Sequence, residues 1–162
     1  MSDMPSAGDR APDFEGVTQT GDTFRLQDAL QRDGLRALAI YFYPKDDTPG
    51  CTKQACNLRD NDQTLASEGV AVVGVSADPV ESHERFAEKY DLPFPLVADT
   101  DRAIMDAYGV YGEKNLYGKK TMGVKRTTFL VSPEGTILHV FKRPKTAAHA
   151  EEILTKLEAA TA

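Results

Sequence analysis

The sequence predicts an α/β protein in which a mixed sheet is covered on both faces by helices, and three observations carry that prediction. Two continuous apolar runs of strand length, residues 36–43 and 70–76, read as parallel strands buried on both sides. Helix-patterned sequence follows each of them, as a parallel crossover requires. Near the end, "RTTFLVSPEGTILHVFKR" reads as a hairpin and adds antiparallel strands.

Taken in order, residues 14–17 and 23–26 flank "TQTGD" as a short hairpin, and "LQDALQRDG" is a small helix ended by Gly34. The strand at 36–43 comes next. A long helix fits between it and the strand at 70–76. Thr48 is its N-cap, Pro49 its first helical residue, and Cys51, Ala55, Leu58 and Leu65 form its inner face, with Ala66 at the margin. "DPVESHERFAEKYDL" is a helix with Phe86 and Tyr90 four apart, followed by a short strand at 95–98 and a short helix in "DRAIMDAYGV". Residues 109–123 hold four glycines and read as a surface loop. The hairpin then runs through 127–131 and 136–142 about "SPEG", and "TAAHAEEILTKLEAA" is a final helix with Ile153 and Leu157 on one face. No repeat or linker interrupts this order, so one domain over residues 1–162 is expected. The order is compatible with a thioredoxin-like sheet carrying an N-terminal β-hairpin extension, and with other small α/β folds.

A hydrophobic share of 41% with 27% charged residues suits a chain that buries a proper core. The net charge of −6 argues against nucleic acid or an anionic membrane as partner. The basic run Lys119, Lys120, Lys125 and Arg126 reads locally as a solvated loop. Residues 1–15 lack the basic start and apolar stretch of a signal peptide, and no apolar run approaches the roughly 20 residues of a membrane helix. A cytoplasmic location is the expectation. In a reducing compartment, two cysteines five apart suggest a transient catalytic or sensing disulfide rather than a permanent staple.

The chemistry concentrates there. A thiol attacks as thiolate, and the first turn of a helix, where Cys51 sits, favours negative charge. Pro49 and Gly50 shape a tight entry, and Gly50 leaves backbone N–H groups open to a small ligand. The Thr48 hydroxyl is placed to cap the helix or to orient a bound oxygen. On a helix, Cα atoms five residues apart are roughly 8.5–9 Å distant, beyond the roughly 7 Å reach of a disulfide. Cys51 and Cys56 can therefore bond only if the helix start unwinds, which fits one thiol reacting while folded and the other resolving it afterwards. The bland alternatives are a small buried hydrophobe at Cys51 and a coincidental spacing. A general thiol oxidoreductase, a redox sensor and a non-catalytic holdase also stay open at this point. His83, His139 and His149 are scattered and read as surface or supporting residues, so no metal is predicted. No nucleotide loop or GxSxG is present, so no cofactor is expected. Asp46 and Asp47 read as a solvated turn.

With these residues in view, "YPKDDTPGCTKQAC" resembles the active-site segment of peroxiredoxins, whose PxxxTxxC motif maps onto Pro44, Thr48 and Cys51. It is most similar to the Q type, also called the bacterioferritin comigratory protein family, in which a resolving cysteine often lies where Cys56 stands. "GDRAPDF", "VVGVSADPVESHERFAEKYDLPFPLVAD" and "YGVYGEKNLYGKKTMGVKRTTFLVSPEGTI" extend the resemblance over roughly residues 9–143. The resemblance implies a thioredoxin-like fold and a peroxidase acting on hydrogen peroxide and organic hydroperoxides. It implies Cys51 as nucleophile, shielded by Pro44, with Thr48, Gly50, Cys51 and Arg126 contacting substrate. It further implies a Cys51–Cys56 disulfide, thioredoxin or a similar dithiol as reductant, and a monomer or weak dimer. Two residues depart from the pattern: Gln54 stands where many relatives carry Glu, which removes a charge near the site, and Tyr111 where Trp is frequent.

Overall fold

β1 (Glu15–Val17) and β2 (Thr23–Arg25) pair antiparallel as the predicted hairpin, and α1 (Leu26–Leu30) follows directly. The computed structural model describes residues 4–116 and 118–161. β3 (Ala37–Phe42) is buried at every position and lies at the middle of a five-stranded sheet. Its flanks are β4 (Val70–Ser76), which runs parallel, and β8 (Thr127–Val131), which runs antiparallel. β5 (Leu96–Ala98) extends the sheet beyond β4, and β9 (Ile137–Phe141) extends it beyond β8. The strand order β5-β4-β3-β8-β9 is the mixed sheet expected from the sequence.

Alternation along β3 divides the core into two layers. Ala37, Ala39 and Tyr41 face a cluster containing Cys51, Ala55, Leu58, Phe86, Ile153 and Leu157. Leu38, Ile40 and Phe42 face a second cluster with Phe14, Leu26, Met105, Tyr108 and Phe129. The first cluster carries α2 (Pro49–Asp60), α4 (Val80–Tyr90) and α6 (His149–Thr161); the second carries α1 and α5 (Ala103–Ala107). The N-terminal hairpin closes on the sheet through a bridge between Thr18 and Val97.

Two expectations are corrected. The long helix is broken at Asn61, whose backbone (φ −107°, ψ 13°) separates α2 from α3 (Asp62–Ser67). The Asn61 side chain donates to the Asn57 carbonyl at 2.8 Å, which its own N–H also reaches at 3.2 Å, so side chain and backbone compete for one acceptor. The glycine-rich stretch is not a loop. It forms β6 (Tyr111–Leu116) and β7 (Lys119–Val124), an antiparallel pair with Gly112 opposite Gly123 and a turn through Gly118 at φ 78°. Lys119 and Lys120 therefore lie on a strand. Among the described residues, no helix is long and apolar enough to cross a membrane.

Candidate active site

Three strand ends converge at one edge of the sheet. β3 and β4 are parallel, so their carboxyl ends lie side by side; β8 is antiparallel to β3, with Thr127 opposite Phe42, so the residue entering β8 arrives at the same place. That residue is Arg126. The chain leaving β3 runs through Tyr43, half-buried Pro44 and a turn, then starts α2 at Pro49. Sheet register thus brings Arg126 to Cys51 across 75 residues of sequence.

Cys51 is 1% exposed, on the face of α2 that packs against β3. Arg126 Nη2 lies 3.4 Å from its sulfur, and Arg126 Nη1 donates to Gln54 Oε1 at 2.7 Å. One planar guanidinium therefore spans the Cys51 sulfur and the Gln54 amide. Gly50 leaves room for this arrangement: a Cβ there would stand 3.0 Å from Arg126 Nη2. Gln54 is fully buried one turn from Cys51, and its Nε2, like the Tyr41 hydroxyl, has no hydrogen-bond partner among the described residues. Burial first, then the charge at Cys51, pushes the Tyr41 phenol well above its ordinary value, so it stays an O–H donor.

Thr48 occupies the N-cap position with extended backbone, but its hydroxyl does not cap α2. It donates instead to the Lys45 carbonyl at 2.8 Å. The Thr48 carbonyl accepts from Thr52 N–H at 2.8 Å, and the helix start leaves the N–H groups of Gly50 and Cys51 short of the i−4 partners that later residues have. Cys56 is half-buried with its thiol free of any disulfide, on an intact helix whose geometry keeps it away from Cys51. Cys51, Gly50 and Arg126 are thus brought together, Thr48 borders them, and Cys56 stands apart.

The aspartate pair is only half the solvated turn expected: Asp47 is exposed and Asp46 is not. Asp46 is buried, accepting from Tyr43 Oη at 2.6 Å and Ser82 Oγ at 2.8 Å, with His83 Nδ1 at 2.7 Å. Its backbone N–H donates to Asp78, which also accepts from Ser76 at 2.6 Å. His83 is fully buried, and its Nε2 donates to the Val97 carbonyl at 3.0 Å, so of the two expectations, surface or supporting, it is a supporting residue. His149 is fully buried as well. Burial, then Tyr41 and Asp46, raises the Tyr43 phenol well above its usual range and keeps its proton available to Asp46. Asp47, at φ 57°, accepts from Lys89 at 2.8 Å and Tyr90 at 2.7 Å. Hydrogen bonds from Lys89, then Tyr90, hold its carboxyl below the ordinary value. Two consecutive aspartates fasten the loop before Cys51 to two turns of α4. Asp46, Asp78 and His83 do bring ligand-type atoms within 4.8 Å of one another, a grouping their sequence spacing hides. Those atoms are engaged by the donors and acceptors just named, and they hold the loop.

Residues 7–140 match the AhpC/TSA family. Peroxiredoxin Bcp of Escherichia coli is 45% identical over 94% of this chain and 95% of its own length. The crystal structure of peroxidoxin BcpB from Mycobacterium tuberculosis superposes with a TM-score of 0.84 and 36% identity, covering 99% of this chain and 100% of that one. A bacterioferritin comigratory protein from Xanthomonas campestris, studied for alkyl peroxide reduction, gives 0.79 and 38%, covering 90% of each chain. A buried cysteine on the first turn of a helix, spanned by an arginine from the neighbouring strand of a thioredoxin-like sheet, agrees with these likenesses: the chain belongs to the AhpC/TSA family and is a peroxiredoxin of the Bcp or Q type, a thiol-dependent peroxidase.

Proposed function

We propose that Cys51 is the nucleophile of this peroxidase, that hydrogen peroxide and organic hydroperoxides are its substrates, and that Cys56 resolves the oxidised intermediate. The observation that carries the reading is the 3.4 Å approach of Arg126 to the sulfur of Cys51, a residue only 1% exposed. The thiolate attacks the terminal oxygen of the hydroperoxide: an S–O bond forms, the O–O bond breaks, and the alkoxide or hydroxide leaves with a proton as alcohol or water. Arg126 and the N–H groups of Gly50 and Cys51 face the charge that moves onto the oxygens, where preorganised donors contribute most. Because the Thr48 proton is committed to the Lys45 carbonyl, the Thr48 oxygen acts as acceptor for the peroxide O–H. Pro44 shields the thiolate from water.

Cys56 then attacks the sulfenic sulfur, an S–S bond forms, and water leaves. The start of α2 unwinds to allow it, so turnover is coupled to local unfolding. Thioredoxin or a similar dithiol reduces the disulfide. The chain works as one domain in the cytoplasm, as a monomer or weak dimer, in antioxidant defence.

The test is stopped-flow consumption of hydrogen peroxide by the reduced protein, followed by intact mass and thiol counting. Rapid loss of one equivalent, a product about 2 Da lighter and no remaining thiol is the expected result. Cys51→Ser should abolish turnover, and retained turnover would remove the assignment. Cys56→Ser should still consume one equivalent while losing thioredoxin-driven cycling; unchanged cycling would exclude Cys56 as the resolving thiol.

A further inference from the structure

Immediately after Cys56, the side chain of Asn57 reaches the start of α6. Its Oδ1 accepts from Ala150 N–H at 2.7 Å, and its Nδ2 donates to the Ala147 carbonyl at 3.1 Å and to Glu151 Oε2 at 3.4 Å. Ala150 is the second residue of α6, so Asn57 satisfies one of the donors that a helix start leaves free. The receiving end is fixed in its turn. His149 is fully buried; its Nε2 accepts from Thr128 Oγ1 at 2.8 Å, and its Nδ1 donates to Glu152 Oε1 at 3.0 Å. Glu152 Oε1 also accepts from Lys145 N–H at 2.7 Å. Thr128 lies on β8, two residues beyond Arg126. The chain one residue past the resolving thiol is therefore tied to the same rigid strand that positions the catalytic arginine.

This tie bears on the unwinding that the disulfide requires. With Thr48 and Asn57 both held, the segment between them must still span nine residues of helix, roughly 14 Å. Once Cys51 and Cys56 are bridged, four extended residue steps and one disulfide reach roughly 19 Å. The bridge can form with Asn57 in place, but few open conformations satisfy both ends. Releasing Asn57 enlarges that set.

We propose that Asn57 is a positioning residue that restrains the opening of α2, and so sets how the Cys51 sulfenic acid divides between disulfide and over-oxidation. The inference rests on the Cys51–Cys56 reading above. In one branch, Cys56 displaces water and closes the S–S bond. In the other, a second hydroperoxide transfers an oxygen to the sulfenic sulfur and leaves as alcohol or water, giving a sulfinic acid. The first branch needs the open helix; the second proceeds in the folded site.

The experiment exposes reduced wild type and Asn57→Ala to graded hydrogen peroxide and separates the disulfide, about 2 Da lighter, from the sulfinic acid, about 32 Da heavier, by intact mass. In Asn57→Ala the peroxide concentration that gives equal amounts of both should rise about five- to tenfold, with the rate of the first oxidation unchanged. An Asn57→Asp, Glu151→Gln double variant keeps an acceptor for Ala150 and a donor at position 151, and should stay near wild type. A purely structural role would lower the unfolding midpoint and leave the division unmoved, which would overturn the inference. Hydrogen exchange on the wild-type disulfide form serves even if the alanine variant does not fold. Protection should be lost from the start of α2, while the Ala150 N–H, whose acceptor is the Asn57 side chain, stays protected as in the reduced form; loss of protection at Ala150 on disulfide formation would overturn the restraint. If the wild type forms no disulfide, the Cys51–Cys56 reading falls and takes this one with it; a disulfide with an unmoved division removes the Asn57 role alone.

Discussion

Arg126 holds the Cys51 sulfur at 3.4 Å with one terminal nitrogen while the other grips Gln54 at 2.7 Å. The second contact fixes the plane of the guanidinium, so the first is directional. Arg126→Met removes both, and the second-order rate with hydrogen peroxide should fall at least about a hundredfold, the scale for losing one preorganised donor. Arg126→Lys keeps the charge without the fork and should recover only part of that loss. Stopped-flow measurement of the first oxidation decides; a methionine variant within about threefold of wild type would show that the arginine does not act on the transition state.

Gly50→Ala separates catalysis from stability. Alanine is favoured over glycine in a helix by up to about 1 kcal/mol, so the folded state should be no weaker in urea. The new Cβ would stand 3.0 Å from Arg126 Nη2, so the guanidinium must give by a few tenths of an ångström. The expected outcome is an equal or higher unfolding midpoint together with a rate about three- to tenfold lower. An unchanged rate would mean that Arg126 tolerates displacement.

The two loop aspartates should differ sharply when neutralised. Asp46→Asn leaves Tyr43, Ser82 and His83 facing an amide in a buried site, and should cost about 2 kcal/mol or more. It should also slow the first oxidation, because the loop between Pro44 and Thr48 loses its buried tether to α4 and keeps only the exposed one. Asp47→Asn touches an exposed pair with Lys89, and asparagine tolerates the left-handed backbone found there. Denaturant midpoints of the two variants decide. Equal losses would contradict the division into a buried and an exposed tether.

The contrast also shows what could be read from the chain. β3 and β4 were legible because continuous apolar runs have one reading once length is fixed, and the first turn of α2 because Thr-Pro-Gly-Cys is local chemistry. Arg126 became visible only through resemblance, since its approach to Cys51 depends on the antiparallel register of β3 and β8. Gln54, three residues after Cys51, shares its helix face and could have been marked on spacing alone. Asp46 and His83 could not: they meet across 37 residues, where α4 meets the loop that follows β3, and sequence neighbours make Asp46 look like part of a polar turn. The β6–β7 hairpin was hidden by glycines that mark a loop elsewhere and here face each other across a ladder.

His149 gives a pH signature. Burial holds its ring below the ordinary histidine value, against the opposing pull of Glu152. With Nδ1 donating to Glu152 and Nε2 accepting from Thr128, the neutral ring satisfies both neighbours, and a second proton would displace the Thr128 bond. The folded value lies below the unfolded one, so between them the unfolded chain binds more protons and stability falls as pH falls. The contribution is whole above about pH 6.5, the unfolded value, and is lost as the pH drops toward the lowered folded one. One such group gives at most about 1.4 kcal/mol per pH unit. Urea unfolding of wild type between pH 7.5 and about 5 should show this decline, and His149→Gln, which cannot titrate, should flatten it. Some slope should remain, because burial and Lys156 lower half-buried His139 in the same direction. Identical slopes in the two proteins would mean that His149 carries its proton in the fold, and that the Thr128 contact is arranged differently from the one seen.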